Sequence, residues 1–220
     1  MSTFTVSPLR PRAPRTGKHA RAPPYGIVGR AYSARRAKSY MMNPGIEDQA
    51  MVSVTCAAPT QAPIIQNLMQ LYTHDFSEFW GGTSRGDLNA QGLFDAYPLE
   101  EYWSRANWSA MLIWCDQVLA GFSLVNNQTH SGLPALRNMA EFFILRKYRG
   151  RGGSRIAAEA IFSLHPGSWE VALTRKNARA QQFWRKTIRQ SAKTSNFQEL
   201  DLQNEHWNGP ILRFDWGIAG

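Results

Sequence analysis

From residue 51 onward, apolar positions recur along the chain with two different spacings, and each spacing predicts one kind of element. Between Pro59 and Thr73 the apolar residues fall three and four positions apart, which is the stripe of an amphipathic helix. Two apolar runs, Met111–Cys115 and Val118–Val125, are separated only by Asp116 and Gln117. Two such runs across two residues predict a β-hairpin, although Asp-Gln is not a favoured turn pair.

The C-terminal half alternates between strand and helix patterns. The strands are predicted at Met139–Leu145, Ser168–Leu173, Phe197–Leu202 and Ile211–Trp216, and the helices at Arg155–Leu164 and after Asn177. Met51–Thr55 is predicted as a first strand. The segment His74–Ser77 is predicted to break the first helix, with Ser77 as the N-cap of a short second helix. The resulting order, βααβββαβαββ, is typical of an α/β or α+β domain with a mixed sheet.

A basic, glycine-rich turn separates the strand that ends at Leu145 from the helix that begins near Arg155. Glycines let the backbone approach a ligand closely, and free N–H groups at a helix start attract phosphate. Four side chains add positive charge: Arg146, Lys147, Arg149 and Arg151. The turn therefore predicts a ligand that bears phosphate.

This turn resembles the cofactor loop of the GNAT acyltransferases, which reads Arg/Gln-x-x-Gly-x-Gly/Ala after a strand. Its residues here are Arg149, Gly150, Arg151, Gly152, Gly153 and Ser154. Ser154 departs from the family's Gly or Ala, but serine is small and also caps helices.

A second segment downstream resembles the family's Asn-x-x-Ala-x-x-Phe-Tyr helix. Asn177, Ala180 and Phe183 match it, and Trp184 stands where the family has Tyr. Two family segments in the right order are more specific than either one alone. The resemblance extends over residues 52–216 and implies a GNAT-type sheet, mostly antiparallel and flanked by helices. It also implies acyl-CoA-dependent N-acyltransferase activity, most simply with acetyl-CoA and an amine acceptor.

The resemblance implies a set of cofactor-binding residues. The loop would bind the CoA diphosphate, the backbone of Phe143, Ile144 and Leu145 would bind the pantetheine arm, and Asn177 would line the cofactor side. An N-cap role for Asn177 is equally open. The acceptor, a small-molecule or protein amine, stays undetermined.

Glu141 is the candidate general base, because a free amine rather than an ammonium attacks a thioester. Glu170 on the next strand is a weaker candidate for that role. Trp184 cannot replace the family's tyrosine as a proton donor in the same sense, since indole N–H offers only a hydrogen bond. We interpret Trp184 as a core residue beside Phe183.

The formal charge of +9 is misleading about partners, because it comes from one end of the chain. Residues 1–40 contain nine Lys and Arg and no Asp or Glu, while the remaining residues balance at 16 basic and 16 acidic. Residues 1–50 are predicted to be a disordered basic tail, and residues 51–220 the catalytic domain. Three interpretations of the tail remain: sequence upstream of a start at Met41, Met42 or Met51, a polyanion-binding arm, or a transit peptide, against which the prolines argue.

Two alternatives to an enzyme remain open. One is a GNAT-fold module that binds CoA without catalysis, and the other, which the neutral domain disfavours, is RNA binding through the Arg-Gly segment and the tail.

The sequence contains no Cys/His cluster with metal-ligand spacing, so no metal is expected. Two distant cysteines and no apolar run of about 18 residues predict a cytoplasmic protein without a membrane span. The oligomeric state is open, a homodimer included.

Overall fold

A computed structural model describes residues 51–205 and 207–217 of the chain. The predicted basic tail, residues 1–50, lies outside the described residues. The strands are β1 Val52–Cys56, β2 Ser109–Cys115, β3 Val118–Asn126, β4 Arg137–Ile144, β5 Gly167–Ala172, β6 Thr194–Gln203 and β7 Asn208–Trp216. The helices are α1 Ala62–Ser77, α2 Glu101–Ser104, α3 Gly153–Leu164 and α4 Ala178–Arg189, with short 3-10 turns at Pro59–Gln61 and Arg146–Tyr148.

The seven strands form one sheet in the order β1-β2-β3-β4-β5-β7-β6. Every neighbouring pair is antiparallel except β4 and β5, which run parallel. The prediction of a mixed, mostly antiparallel sheet flanked by helices is therefore confirmed. A parallel pair needs a crossover, and α3 supplies it between β4 and β5.

Each face of the sheet buries its own hydrophobic core. On one face α3 and α4 pack over β4, β5 and β7, with Phe162, Trp169 and Trp216 fully buried between them. On the other face α1 and α2 cover β2 and β3, where Ile65 and Phe122 are fully buried. Because side chains alternate along a strand, Phe142 and Ile144 of β4 pack in the first core and Phe143 in the second.

The predicted hairpin forms between β2 and β3 despite its unusual turn pair. Asp116 and Gln117 both adopt a left-handed conformation, with φ of 50° and 64°. Two left-handed residues match the twist of the flanking strands, which is why glycine and asparagine normally fill such turns. Met51 N–H donates to the Asp116 carboxylate at 2.8 Å, and Asp116 N–H donates to Met51 O at 2.9 Å, which stabilises this turn.

The prediction that the chain breaks at His74–Ser77 and that Ser77 starts a second helix is wrong. Helix α1 continues to Ser77, whose hydroxyl donates back to His74 O at 2.7 Å and satisfies a carbonyl of the last turn. The short helix α2 lies much further along, at Glu101–Ser104. Tyr72 and Phe76 pack ring to ring at 4.7 Å along the extended end of α1, and this contact between side chains one turn apart favours helix continuation.

Candidate functional site

The site begins where β4 separates from β5. The two strands pair only at Arg137 with Trp169 and at Asn138 with Glu170, so the rest of β4 has β3 as its only strand neighbour. Leu145 N–H donates to Ala120 O of β3 at 2.8 Å. Because hydrogen bonding alternates along an antiparallel pair, the backbone groups of Phe143 also face β3.

Phe142 and Ile144 therefore turn their N–H and C=O groups toward the open gap. Of the three residues predicted to bind the pantetheine arm, only Ile144 has this orientation, since Phe143 and Leu145 direct their backbone groups to β3. An extended chain with amide groups, such as pantetheine, fits an open strand edge of this kind.

The predicted phosphate loop follows directly at the end of this gap. Gly150 and Gly152 have φ of 82° and 80°, a conformation that glycine adopts without strain. A Cβ added at either position would meet no atom within 4 Å, so the space above the turn is open. Within the described chain, the N–H groups of residues 150–154 donate to no backbone or side-chain acceptor. The turn and the first residues of α3 thus fit a diphosphate.

Two of the basic side chains of the turn, Arg146 and Arg149, are paired with a carboxylate of α1. Asp75 accepts from Arg149 at 2.6 Å and pairs with Arg146 at 2.7 Å. Arg149 also donates through Nε to Ile144 O at 2.6 Å, so its side chain secures the turn against β4. Burial alone raises the pKa of Asp75, but the hydrogen bonds from Arg149 and Arg146 lower its pKa overall.

Some of the remaining predicted cofactor residues lie exposed at the edge of the turn, and others already make contacts within the fold. Arg151 is exposed, and Lys147 lies 5.3 Å from the Tyr148 ring, so both cations border the turn. Ser154 is half-buried in the first turn of α3, and Gly153 packs against Val52 of β1. Asn177 caps α4, since its side-chain oxygen accepts from Ala180 N–H at 3.0 Å.

Glu141 lies on β4 beside the gap, on the face covered by α1. The register between β3 and β4 skips Ala140, and such a bulge re-aims the side chain that follows it. The carboxylate accepts hydrogen bonds from the hydroxyls of Tyr72 and Tyr97. Burial raises the pKa of Glu141 to about 7, against the opposing effects of the two tyrosines and the charge of Arg85. A carboxyl group that titrates near neutral pH is suited to general base chemistry.

A chain of polar groups extends inward from Glu141. Tyr97 hydrogen-bonds Tyr102 as well as Glu141, and the Tyr102 hydroxyl accepts from Asn126 at 3.4 Å. Asn126 in turn accepts from Asn138 at 3.1 Å, at the last paired residue of β4. Burial raises the pKa of Tyr97 well above the ordinary range, so its hydroxyl keeps its proton and donates to Glu141. The network therefore fixes the position of the carboxylate.

Glu170, the weaker candidate base, is fully buried and surrounded by donors. It accepts from His130 N–H at 2.5 Å, from Ser131 N–H at 3.2 Å and from the Ser131 hydroxyl at 2.5 Å. Arg213 of β7 lies 4.0 Å from the same carboxylate. These contacts tie the loop between β3 and β4 to the sheet, so Glu170 has a structural role here.

Trp184 is buried in the core between α4 and the sheet, as we interpreted from the sequence. Its exposed fraction is 5%, and its ring lies 5.1 Å from Phe142 and 4.9 Å from Phe183. It offers no acidic proton to the gap. In this chain the hydroxyl groups next to the candidate base are those of Tyr72 and Tyr97.

Sequence reasoning missed three residues of this site: Tyr72, Asp75 and Arg85. Tyr72 counts as an apolar position of the α1 stripe, and Asp75 belongs to the predicted helix break. Tyr97 and Trp80 also lie at this cleft. Tyr102, by contrast, is a buried residue of α2 whose ring lies 4.9 Å from Trp108. A polar hydroxyl one turn before a carboxylate on the same helix is the signal that could have identified Tyr72 and Asp75.

Across residues 51–205 and 207–217, no group of three or more His, Cys, Asp or Glu side chains is arranged to hold a metal ion. Over the same ranges, no helix combines the length and apolar character needed to cross a bilayer. Of the two cysteines, Cys115 is buried and Cys56 is exposed.

Comparison with known proteins gives a likeness of structure without a likeness of sequence. No protein-family model matches the chain, and no curated protein matches it. The crystal structure of an uncharacterized protein from Bacillus halodurans aligns with a TM-score of 0.51 at 10% identity, covering 76% of this chain and 84% of that one.

Solved acetyltransferases align somewhat less well. One from Thermus thermophilus gives a TM-score of 0.49 at 14% identity, covering 74% of this chain and 94% of that one. A GNAT-family acetyltransferase from Staphylococcus aureus gives 0.48 at 12% identity, covering 74% and 98%.

The family assignment therefore depends on the architecture of this chain. The order of elements and the mixed, mostly antiparallel sheet are those that the resemblance predicts, and β4 separates from β5 directly before a glycine-rich turn that opens α3. These features confirm the prediction from the sequence: the chain has the fold of the GNAT superfamily.

Proposed function

We propose that this protein is an acyl-CoA-dependent N-acyltransferase, most simply one that transfers an acetyl group to an amine. The observation that carries the proposal is the position of Glu141, whose pKa is raised to about 7, at the edge of the β4–β5 gap. The gap ends at the turn whose N–H groups are free within the described chain. A base and an anion site are thus joined by one open strand edge.

The residues of the chain would bind and orient the acyl donor. The N–H groups of residues 150–154 and the N-terminus of α3 would bind the diphosphate, with Lys147 and Arg151 adding charge at the rim. The gap-facing N–H and C=O groups of Phe142 and the N–H group of Ile144 would bind the amides of the pantetheine arm, since the Ile144 carbonyl already accepts from Arg149. When bound, the donor supplies a thioester carbonyl to the gap.

Glu141 would then remove the proton that keeps the acceptor amine unreactive. The amine nitrogen attacks the thioester carbonyl carbon and an amide bond forms as the nitrogen releases its second proton to solvent. The carbon–sulfur bond breaks with its electron pair leaving on sulfur. Holding both groups in one cleft replaces a bimolecular encounter, which supplies much of the acceleration. The leaving thiolate then takes up the proton held by Glu141, so the reaction needs no acid at the position of Trp184.

Calorimetry with acetyl-CoA tests the binding half of this proposal. Gly152→Glu places bulk and negative charge against the diphosphate, so we expect the binding heat to disappear. Gly132→Glu is the matched control, since Gly132 has φ of 74°, open space around it and a place in a different loop. Equal affinity in wild type and Gly152→Glu would remove the turn from the site.

Thiol release with a panel of amines tests the chemical half. Release above the hydrolysis background supports an enzyme. Binding of acetyl-CoA without release for any amine would instead support a CoA-binding module, for which the core position of Trp184 is the specific observation. RNA binding is less well supported, because Arg146 and Arg149 are both paired with Asp75 in a folded turn.

A further inference from the structure

The wall of the cleft opposite β4 is formed by the segment that follows α1, and this segment is fastened to α1 by two glutamines. Gln66 bonds the backbone of Tyr97 through both atoms of its amide, and Gln70 does the same with Phe94 at 2.8 and 3.1 Å. Each glutamine thus pairs with a peptide unit as a neighbouring strand would. Tyr97 is thereby held with its hydroxyl on Glu141.

Arg85 is carried into the same cleft by a fixed turn. Its guanidinium lies 4.3 Å above the ring of Trp80. Gly86 has φ of 76°, and a Cβ there would lie 2.6 Å from Trp80 Cε3, so only glycine allows this packing. Burial lowers the pKa of Arg85, while the charge of Glu141 and the hydroxyl of Tyr72 raise it. An arginine keeps its charge throughout the physiological range.

An aromatic ladder separates these two charges. Tyr72, Phe76 and Trp80 follow one another at successive turns along one side of α1 and just beyond its end, with ring centroids 4.7 and 5.9 Å apart. Glu141 lies at the Tyr72 end of the ladder, and Arg85 stacks at the Trp80 end. The cleft therefore offers a proton acceptor, an apolar wall and a permanent cation.

We propose that the acceptor is a small amine that also carries a carboxylate, of the α-amino acid class. Its ammonium group faces Glu141, its carboxylate faces Arg85, and its side chain lies against the aromatic ladder. The proposal rests on the N-acyltransferase function proposed above and names the acceptor for the same site. The product is the N-acyl amino acid, formed as its nitrogen takes the acyl group from sulfur, and the carboxylate is unchanged by the reaction.

The charges of the cleft disfavour the other acceptor classes. A polyamine would bring a second cation toward Arg85 and be repelled by it. A protein lysine or a peptide N-terminus has no carboxylate a few bonds from its amine. Such an acceptor would therefore bring no anionic group to the side of the cleft where Arg85 lies. Replacing a charge-assisted pair with a neutral contact typically lowers affinity by tenfold or more.

The test measures thiol release from acetyl-CoA by the full-length protein with the standard L-amino acids and with the amide of each. We expect the free acid of at least one amino acid to exceed its amide at least tenfold in kcat/KM. In Arg85→Gln this preference should disappear because the free acid loses at least tenfold, while the amide changes by less than threefold. Arg105→Gln is the matched control, since Arg105 also stacks on a tryptophan, Trp108, at 5.1 Å but pairs with Glu101 outside the cleft.

The outcomes distinguish the proposed acceptor class from the N-acyltransferase function on which it rests. If acetyl-CoA does not bind at all, the N-acyltransferase function is overturned, and the acceptor assignment with it. If thiol is released but amides or peptides react as well as free acids, the acceptor assignment alone is overturned. Equal losses for acid and amide in Arg85→Gln would also overturn it, because Arg85 would then act on the fold or on Glu141 rather than on a carboxylate.

Discussion

Glu141 and Glu170 lie on neighbouring strands of one sheet, point to the same face, and have partners of different kinds. Glu170 is fully buried and accepts three hydrogen bonds beside an arginine. Glu141 has two neutral tyrosine hydroxyls, and burial raises its pKa to about 7. The donors and the cation around Glu170 make it a structural contact between the loop and the sheet, whereas Glu141, with fewer donors, exchanges its proton near neutral pH.

The largest expected effect is on turnover and should separate the two residues completely. Glu141→Gln keeps the side-chain size but removes the proton acceptor, so we expect kcat to fall about 100-fold or more, the range that general base catalysis supplies. The affinity for acetyl-CoA should stay within about threefold of wild type. Thiol-release assays together with calorimetry measure both quantities. A variant with full turnover would leave Glu141 without a catalytic role.

Glu170→Gln should act on stability instead. The amide NH₂ would face the N–H groups of His130 and Ser131, and Arg213 would lose its carboxylate. Leaving buried donors unpaired costs about 2–4 kcal/mol of unfolding free energy. Urea titration followed by tryptophan fluorescence measures the loss. An unchanged midpoint would mean that the loop at residues 130–134 does not depend on this carboxylate.

The corresponding substitution at Glu141, Glu141→Gln, should raise the unfolding free energy above neutral pH instead of lowering it. The folded pKa is raised to about 7 from an ordinary value of 4.5, so the unfolded chain ionises first as the pH rises. The native state therefore loses stability between about pH 4.5 and 7, by at most about 3 kcal/mol, and stays at that level above pH 7.

Glu141→Gln removes this titration. Its unfolding free energy should exceed that of wild type at pH 8 and match it near pH 4. Paired urea titrations at the two pH values measure the difference. Destabilisation at pH 8 would show that the carboxylate is compensated in the way that Glu170 is.

The smallest expected effect is on the pH dependence of the rate, and it concerns the tyrosine hydroxyls that contact Glu141 but have no counterpart at Glu170. The hydrogen bond from Tyr97 lowers the pKa of Glu141, so Tyr97→Phe should move the acidic limb of the kcat/KM profile to higher pH. At pH 6.5 the variant should lose roughly two- to fivefold in rate, and the loss should shrink above pH 8. Tyr148→Phe, at a tyrosine that packs against the core on the opposite face of the sheet, serves as the control. A loss equal at every pH would assign Tyr97 a packing role only.

Local chemistry explains which predictions succeeded. The hairpin at Asp116-Gln117, the turn at Gly150–Gly152 and the helix that follows it are set by residues within a few positions of one another. Periodicity and glycine placement therefore predicted them. The end of α1 was predicted wrongly, because His74 and Ser77 resemble a helix break when taken alone. In the fold, ring contacts and the pairing of Asp75 outweigh that local preference.

By itself, the sequence determined the order of elements, the mixed sheet and the glycine-rich turn before α3, and it identified Glu141 as the candidate base. Each of these depends on short-range patterns or on a resemblance carried by contiguous motifs. Tertiary structure alone decided that Asp75 holds Arg146 and Arg149, and that Tyr72, Tyr97 and Arg85 surround Glu141. Asp75 and Arg149 lie 74 residues apart along the chain. Such contacts exist only once the sheet has brought α1 against β4, and burial there raises the pKa of the Glu141 carboxylate to about 7.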